Sequence, residues 1–241
     1  MSLYRETGVV LRTMRLGEAD RIVTFLTGGR GKVRAVAKGV RKTKSRFGGR
    51  LEPMTHVSLL LYEGRELDIV TQAETLDSFR DLREDLDRLG KATSLLEVAD
   101  QVAQERHAAP RLYSMLLGAL RALSAHDGPM LVPAFFLKVL SLEGFHPVLD
   151  QCAGCGTAGE LVAFDVAEGG ALCRLCAGRV SAVALSADGL ALVRRALGGE
   201  LGPVLGEPPG RATAEVDRLA TKALEHHLER RLRSVHTFDR A

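Results

Sequence analysis

Four cysteines occur in the 241-residue chain, and all of them fall in one pattern, Cys152-Ala-Gly-Cys155 followed by Cys173-Arg-Leu-Cys176. The spacing C-x2-C-x17-C-x2-C lies in the range typical of a tetrahedral four-cysteine zinc site. Each pair can grip a metal from a tight knuckle, with Gly154 and Gly156 easing the first turn. Thiolates at about 2.3 Å satisfy zinc, and four protein ligands leave no open position for catalysis. One structural Zn2+ held by Cys152, Cys155, Cys173 and Cys176 would fold an excursion of roughly 30 residues with little core of its own. Two disulfides, four free thiols or a redox-active dithiol are the alternatives. The N-terminus, MSLYRETGVV, has no basic stretch followed by an apolar one, which predicts no secretory signal and a cytosolic protein. Disulfides are rare there. No run of roughly 18 apolar residues occurs, so no membrane span is expected.

Charge is the second constraint. The net charge of +3 hides an asymmetry: residues 1–80 carry fifteen basic and nine acidic groups, the remainder eighteen and twenty-one. No acidic residue lies between Asp20 and Glu52, a window holding Arg21, Arg30, Lys32, Arg34, Lys38, Arg41, Lys42, Lys44, Arg46 and Arg50. Self-repulsion on that scale is usually kept for a polyanionic partner. A solvated charged face is the plain alternative. With no Trp and few aromatics, contact with phosphate should dominate over stacking, giving sequence-tolerant, salt-sensitive nucleic-acid binding. Phe47 sits inside the basic loop. It could stack on an unpaired base, or it could pack the loop onto the body of the domain.

The first 75 residues read as β structure. Expected strands are Tyr4–Thr13, Ala19–Thr27, Lys32–Ala37, His56–Tyr62 and Glu66–Ala73, with a turn at Gly28-Gly29-Arg30-Gly31. Five short strands with one long basic middle loop suit a small closed barrel. An OB-fold is the natural candidate, and OB-folds commonly bind oligonucleotides, although other small barrels would give the same strand count. From Leu76 the apolar period changes to three and four. Leu82, Leu86 and Leu89, then Leu95, Val98 and Val102, then Arg111–Leu123 predict amphipathic helices. Asp127-Gly128-Pro129 reads as a helix start with Asp127 as its cap, and Gly144 as the end of that helix. Leu190–Leu197 and Ala214–Leu232 predict two more helices, with Gly198–Gly210 as a loop between them. The fold class is therefore α+β and multidomain: a basic barrel over residues 1–79, a helical domain over 80–148 and 180–241, and the four-cysteine ribbon inserted at 149–179.

Signatures of catalysis are missing, so no enzyme activity is expected. There is no phosphate-binding G-x-x-x-x-G-K-[ST], no G-x-S-x-G and no H-E-x-x-H. The carboxylates of Arg80–Asp87 alternate with Arg at a helix start, where they favour the dipole; a metal-dependent nuclease would need them buried and converging. His226 and His227 read as one buried-edge and one exposed position on the last long helix. The mixed charges around the knuckles, Glu160, Asp165 and Glu168 against Arg174 and Arg179, give no reason to assign DNA contact to the ribbon.

The order of these parts resembles the bacterial recombination mediator family RecO. The likeness rests on Arg34-Ala-Val-Ala-Lys38-Gly39-Val-Arg41-Lys42, Ser45-Arg46-Phe47-Gly48-Gly49 and Leu51-Glu52-Pro53, with the cysteine ribbon before the last helices. The resemblance implies an N-terminal OB-fold, a helical domain and a zinc ribbon in a non-catalytic protein of DNA repair. It further implies binding of single- and double-stranded DNA, annealing of complementary strands, and assistance to recombinase loading on coated single strands. The implied partners are RecR and the acidic tail of the single-stranded DNA-binding protein, in a bacterial cytoplasmic, nucleoid-associated setting. On this reading Lys38, Arg41, Lys42, Lys44, Arg46 and Arg50 are the main phosphate contacts, and Arg30, Lys32 and Arg34 extend the track. The competing reading is a zinc-ribbon accessory factor of transcription or translation that grips RNA through the same loop.

Overall fold

The computed structural model describes residues 2–238; residue 1 and residues 239–241, which the expected barrel and helical segments include, lie outside the described residues. The chain divides into two compact units, one running to Ala125 and joined by the segment from Ser234 on, the other His126–Arg233.

The first unit begins with five strands: β1 (Leu3–Leu16), β2 (Asp20–Thr27), β3 (Gly31–Ala37), β4 (His56–Tyr62) and β5 (Asp68–Asp77). They close into a barrel in the order β1-β2-β3-β5-β4, the arrangement expected of an OB-fold. The long β1 serves two neighbours. Its first half pairs with β4 (Arg5 opposite Leu60) and its second with β2 (Met14 opposite Ile22), with a bulge between Val10 and Arg12. The closing seam, β3 against β5, is parallel and short, Ala35 opposite Asp68 and Val36 opposite Ile69. Strict alternation in β3 puts Val33, Ala35 and Ala37 inside and Lys32, Arg34 and Val36 outside. The fifth strand runs four residues beyond its expected end at Ala73, because continued pairing with β4 reaches His56 opposite Asp77.

Three helices complete this part: α1 (Arg80–Glu84), α2 (Leu86–Val102) and α3 (Pro110–Ala125). Asp85 caps α2 by accepting from the Arg88 N–H at 3.0 Å. Pro110 opens α3, where a missing N–H costs nothing. Leu112, Leu116, Leu120 and Leu123 form its buried stripe. The link between α2 and α3 laces onto β3, with the Lys32 N–H donating to the Gln104 carbonyl and the Arg106 N–H to the Lys32 carbonyl, both at 3.1 Å. Glycine is required at 31 twice over. Its φ is +60°, and a Cβ there would stand 1.8 Å from the His107 carbonyl oxygen.

In the second unit, α4 (Leu131–Leu142) buries Phe135, Phe136, Val139 and Leu140. Its capping position is Met130 rather than the expected Asp127, since the turn through Gly128 and Pro129 delays the helix by three residues. Gly144, with φ +91°, ends it, and the Phe145 N–H returns to the Leu140 carbonyl. A three-stranded sheet follows, ordered β7-β6-β8, from β6 (Leu161–Asp165), β7 (Gly170–Cys173) and β8 (Val183–Ala184), with the short α5 (Arg174–Ala177) after β7. Then come α6 (Ala187–Gly198), α7 (Leu201–Leu205) and α8 (Arg211–His227). Ser186 caps α6 through the Gly189 N–H at 3.1 Å. The segment expected as a plain loop thus contains the turn α7, whose Val204 is fully buried. Helix α8 stops five residues before its expected end, because Glu229 takes a positive φ and the Arg230 N–H closes onto Glu225. α4 packs against α6 and α8. A last helix, α9 (Arg233–Phe238), begins at the boundary of the units.

Candidate nucleic-acid interface and candidate metal centre

The basic loop between β3 and β4 is built outward from the barrel. Gly39, at φ +67°, turns the chain and donates its N–H to the Asp20 carboxylate at 2.7 Å. The Arg41 N–H donates to the Ala19 carbonyl at 2.9 Å, and the Arg41 guanidinium to the Glu18 carbonyl at 2.9 Å. The first half of the loop is therefore tied to the β1–β2 turn. The second half is anchored by Phe47, which is 2% exposed and packs with Val10, Leu51 and Leu59 in the barrel core. A ring this buried packs the loop onto the barrel. The Gly48–Leu51 3-10 turn brings Leu51 into the same core. Glu52 then pairs with Arg21 at 2.8 Å, and the Pro53 carbonyl accepts from the Arg83 guanidinium at 2.6 Å. That gives Leu51-Glu52-Pro53 a physical role: it returns the loop to the barrel and to α1.

Lys38, Arg41, Lys42, Lys44, Arg46 and Arg50 are all exposed on this loop. Among the described residues no carboxylate comes within ion-pair distance of any of them. The guanidiniums of Arg41 and Arg50 donate instead to backbone carbonyls, which fix geometry without cancelling charge. Arg50 donates to the Arg46 carbonyl at 2.7 Å, and the Arg46 guanidinium lies 4.8 Å from the centroid of the Phe47 ring.

Arg30, Lys32 and Arg34 stand apart. Each is paired with a carboxylate: Arg30 with Glu63 at 3.1 Å, Lys32 with Asp100 at 3.2 Å and Arg34 with Glu105 at 3.5 Å. Arg30 also covers the Tyr4 ring at 3.8 Å, and the Tyr4 hydroxyl donates to Asp68. Burial, and then the Asp68 carboxylate, push the Tyr4 hydroxyl well above the ordinary tyrosine range. Lys32 and Arg34 tie β3 to α2 and to the α2–α3 link, Arg30 ties the β2–β3 turn to the β4–β5 turn, and all three have their charge paired.

The four cysteines come together from the two ends of the ribbon. Their Sγ atoms all lie within 4.8 Å of one another, and Cys155 and Cys173 approach to 3.9 Å. A tetrahedron of ligands at the zinc–thiolate distance has edges of about 3.8 Å. No disulfide joins them. The first knuckle closes with the Gly156 N–H on the Cys152 carbonyl at 2.8 Å, Gly156 being at φ +71°. The second closes with the Arg179 N–H on the Cys176 carbonyl at 3.1 Å. A Cβ at Gly154 would meet Cys176 Sγ at 3.3 Å, a tight contact, so glycine there lets the two knuckles nest closely. The Cys173 N–H donates to Cys152 Sγ at 3.3 Å and is the main reason that thiol is lowered to about 6. Hydrogen bonding with Cys152 and then Cys155 pushes Cys176 up to about 12. Four sulfurs this close cannot all be thiolates without a cation between them, and the donor set suits a soft, tetrahedral metal.

The remaining residues weighed from the sequence have structural duties. Asp81 pairs with Ser124 and Arg88, Glu84 with Arg80, and Asp85 caps α2, so these carboxylates diverge. His226 and His227 are both exposed, because α8 ends beneath them rather than burying one. Glu160 and Arg174 pair at 3.6 Å on the ribbon surface. Arg5, which sequence reasoning did not single out, stands beside Arg46 and Arg50 across the strand face. No helix among the described residues is long and apolar enough to cross a membrane.

Two family models match the chain: "Recombination protein O N terminal" over residues 1–79 and "Recombination protein O C terminal" over residues 83–236. Full-length similarity extends to proteins named DNA repair protein RecO. The one from Frankia casuarinae is 43% identical, with all of both chains covered. That of a Nocardioides species is 46% identical, covering 97% of this chain and 98% of its own. That of Thermobifida fusca is 42% identical, again with all of both chains covered.

Proposed function

The chain belongs to the DNA repair protein RecO family, and from that premise we propose that it is a non-catalytic recombination mediator that brings DNA strands together on its basic loop. The observation that carries this reading is the set of six exposed cations, Lys38, Arg41, Lys42, Lys44, Arg46 and Arg50, with no carboxylate in ion-pair range. Annealing requires two polyanions to approach, and fixed uncompensated positive charge lowers their repulsion and releases counterions. The loop is held at both ends, by the β1–β2 turn and by Phe47, so its charges are presented on a firm base. Both single and double strands offer phosphate and both should bind. Cys152, Cys155, Cys173 and Cys176 would hold one zinc ion, which would fix the ribbon and supply no chemistry. The partners that fit the family reading are RecR, the acidic tail of the single-stranded DNA-binding protein, and a recombinase that loads on the coated strand.

Fluorescence-detected annealing of two complementary oligonucleotides tests the proposal. It is run with wild type and with Lys38, Arg41, Lys42 and Arg46 neutralised, at two salt concentrations. Acceleration that is lost in the variant and weakened by salt is expected. Equal annealing by both proteins would move the interface away from the loop, and a preference for RNA of equal length would favour an accessory factor of transcription or translation.

A further inference from the structure

A groove of about 480 Å3 runs over the outer face of β1, β4 and β5, beside the second half of the basic loop. It is not on the β2–β3 face where OB-folds commonly hold oligonucleotides. The register places Arg5, Leu60 and Gln72 in one row across three strands, with Ser58 and Glu74 opposite each other in the next. Arg5 enters from β1 on one side. Arg46 and Arg50 overhang from the loop, their positions set by the Phe47 ring and the Arg46 carbonyl. None of these three arginines has a carboxylate partner among the described residues. Leu60, half-buried on the outer face, supplies the apolar floor, and the Gln72 amide is exposed beside it; Ala73, opposite Leu59, turns into the barrel core at the margin of the groove. Thr71 is spoken for, since its hydroxyl donates to the Leu60 carbonyl at 2.6 Å.

Three guanidiniums around an apolar floor fit a ligand that carries both phosphate and an open aromatic face. A duplex hides its base faces and shows only phosphate and sugar along this kind of surface. An unpaired nucleotide shows both. The volume falls within the roughly 300–1,000 Å3 of small-ligand sites. We propose that this groove seats an unpaired nucleotide of single-stranded DNA, with Arg5, Arg46 and Arg50 on its phosphates, its base over Leu60, and Gln72 at the base edge. The inference rests on the DNA-binding reading of the basic loop and adds to it a place where the two strand states are told apart. Glu74 is the one carboxylate of the lining and opposes the ligand.

The test is fluorescence anisotropy with a single-stranded oligonucleotide and a duplex of equal length. It compares wild type, Arg5→Ala, Glu74→Gln and a loop variant with Lys38, Arg41, Lys42 and Lys44 neutralised. Arg5→Ala should weaken single-strand binding about five- to tenfold while duplex binding moves less than about twofold, and Glu74→Gln should tighten single-strand binding. Loss of fold cannot produce tightening, so the second variant guards the first. Equal loss of both ligands in Arg5→Ala, or no change in either variant, overturns the groove. The loop variant should lose both ligands; if it loses neither, the loop reading fails while the groove is still judged on Arg5 and Glu74.

Discussion

The guanidinium of Arg46 lies over the ring of Phe47, 4.8 Å from its centroid, while that ring is 2% exposed inside the barrel. A cation of the loop surface is thus set upon a core side chain, and the core and the interface share one residue.

Replacing Phe47 should therefore be felt twice. Phe47→Ala should destabilise the protein by about 3–5 kcal/mol, the usual cost of emptying a large buried aromatic site. It should also reduce oligonucleotide affinity, because the Phe47 carbonyl region and ring position Arg46 and Arg50. Urea denaturation and anisotropy check the two effects. Phe47→Leu keeps apolar bulk without the ring, so it should lose less stability than Phe47→Ala and still weaken oligonucleotide binding; unchanged affinity in both variants would remove the ring from the interface, and full stability in Phe47→Ala would contradict the packing.

The paired and unpaired cations should separate in a salt titration. Neutralising Lys38, Arg41, Lys42 and Lys44 should flatten the slope of log affinity against log salt by roughly 0.7–0.9 per lost contact. Neutralising Arg30, Lys32 and Arg34 should change that slope much less and lower the melting temperature, since it removes the ion pairs with Glu63 and Glu105 and leaves Asp100 with Arg12 alone. Equal slopes for the two variants would refute the distinction.

Metal content should be one zinc ion per chain by elemental analysis of protein purified without added metal. Cys173→Ser should lose it, removing one of four ligands. Chelation should unfold the ribbon while leaving the barrel's strand signal and Phe47 protection in hydrogen exchange unchanged, since the barrel closes without any cysteine. Loss of barrel protection on chelation would count against independent folding.

His56 is buried, with Nε2 2.7 Å from the Tyr113 hydroxyl. Burial, and then the charge of Arg121, hold its pKa below the ordinary value of 6.5, with Asp77 opposing. The unfolded chain therefore takes a proton that the folded one resists. The stability from neutral His56 is complete above about 6.5 and falls as the pH drops below it. Melting temperature between pH 7.5 and 5.5 should decline less in His56→Gln than in wild type. Parallel curves would remove His56 from the acid response.

The barrel was legible because its strands carry strong local signals: alternation in Lys32–Ala37, turn glycines at 28–31, and the apolar Val9, Val10 and Leu11. The cysteines were legible as a cluster because their spacing is a geometric statement in itself. Less legible were features that depend on distant pairing. Nothing local marks Arg5 as a neighbour of Gln72; only β1 lying on β4, and β4 on β5, brings them into one row. Nor does charge counting show that Arg34 faces Glu105, which sits beyond two helices in the chain. Phe47 could be read either way because a loop aromatic is judged by what it touches. The end of α8 was misplaced because apolar Leu228 and Leu232 extend the helical period past the left-handed Glu229 that breaks the backbone.

Helix α4 emerges in synthesis before the ribbon, and α8, which covers it, after the ribbon. A growing chain must therefore carry an eight-residue buried face uncovered until both cysteine pairs have been made. If the four cysteines hold a metal as proposed, fast closure of the ribbon around it would draw the later helices towards α4 sooner. On that reading a nascent chain starved of zinc would keep the greasy face exposed for longer, and aggregation during translation, more than any defect in the finished protein, is where metal shortage would first be felt.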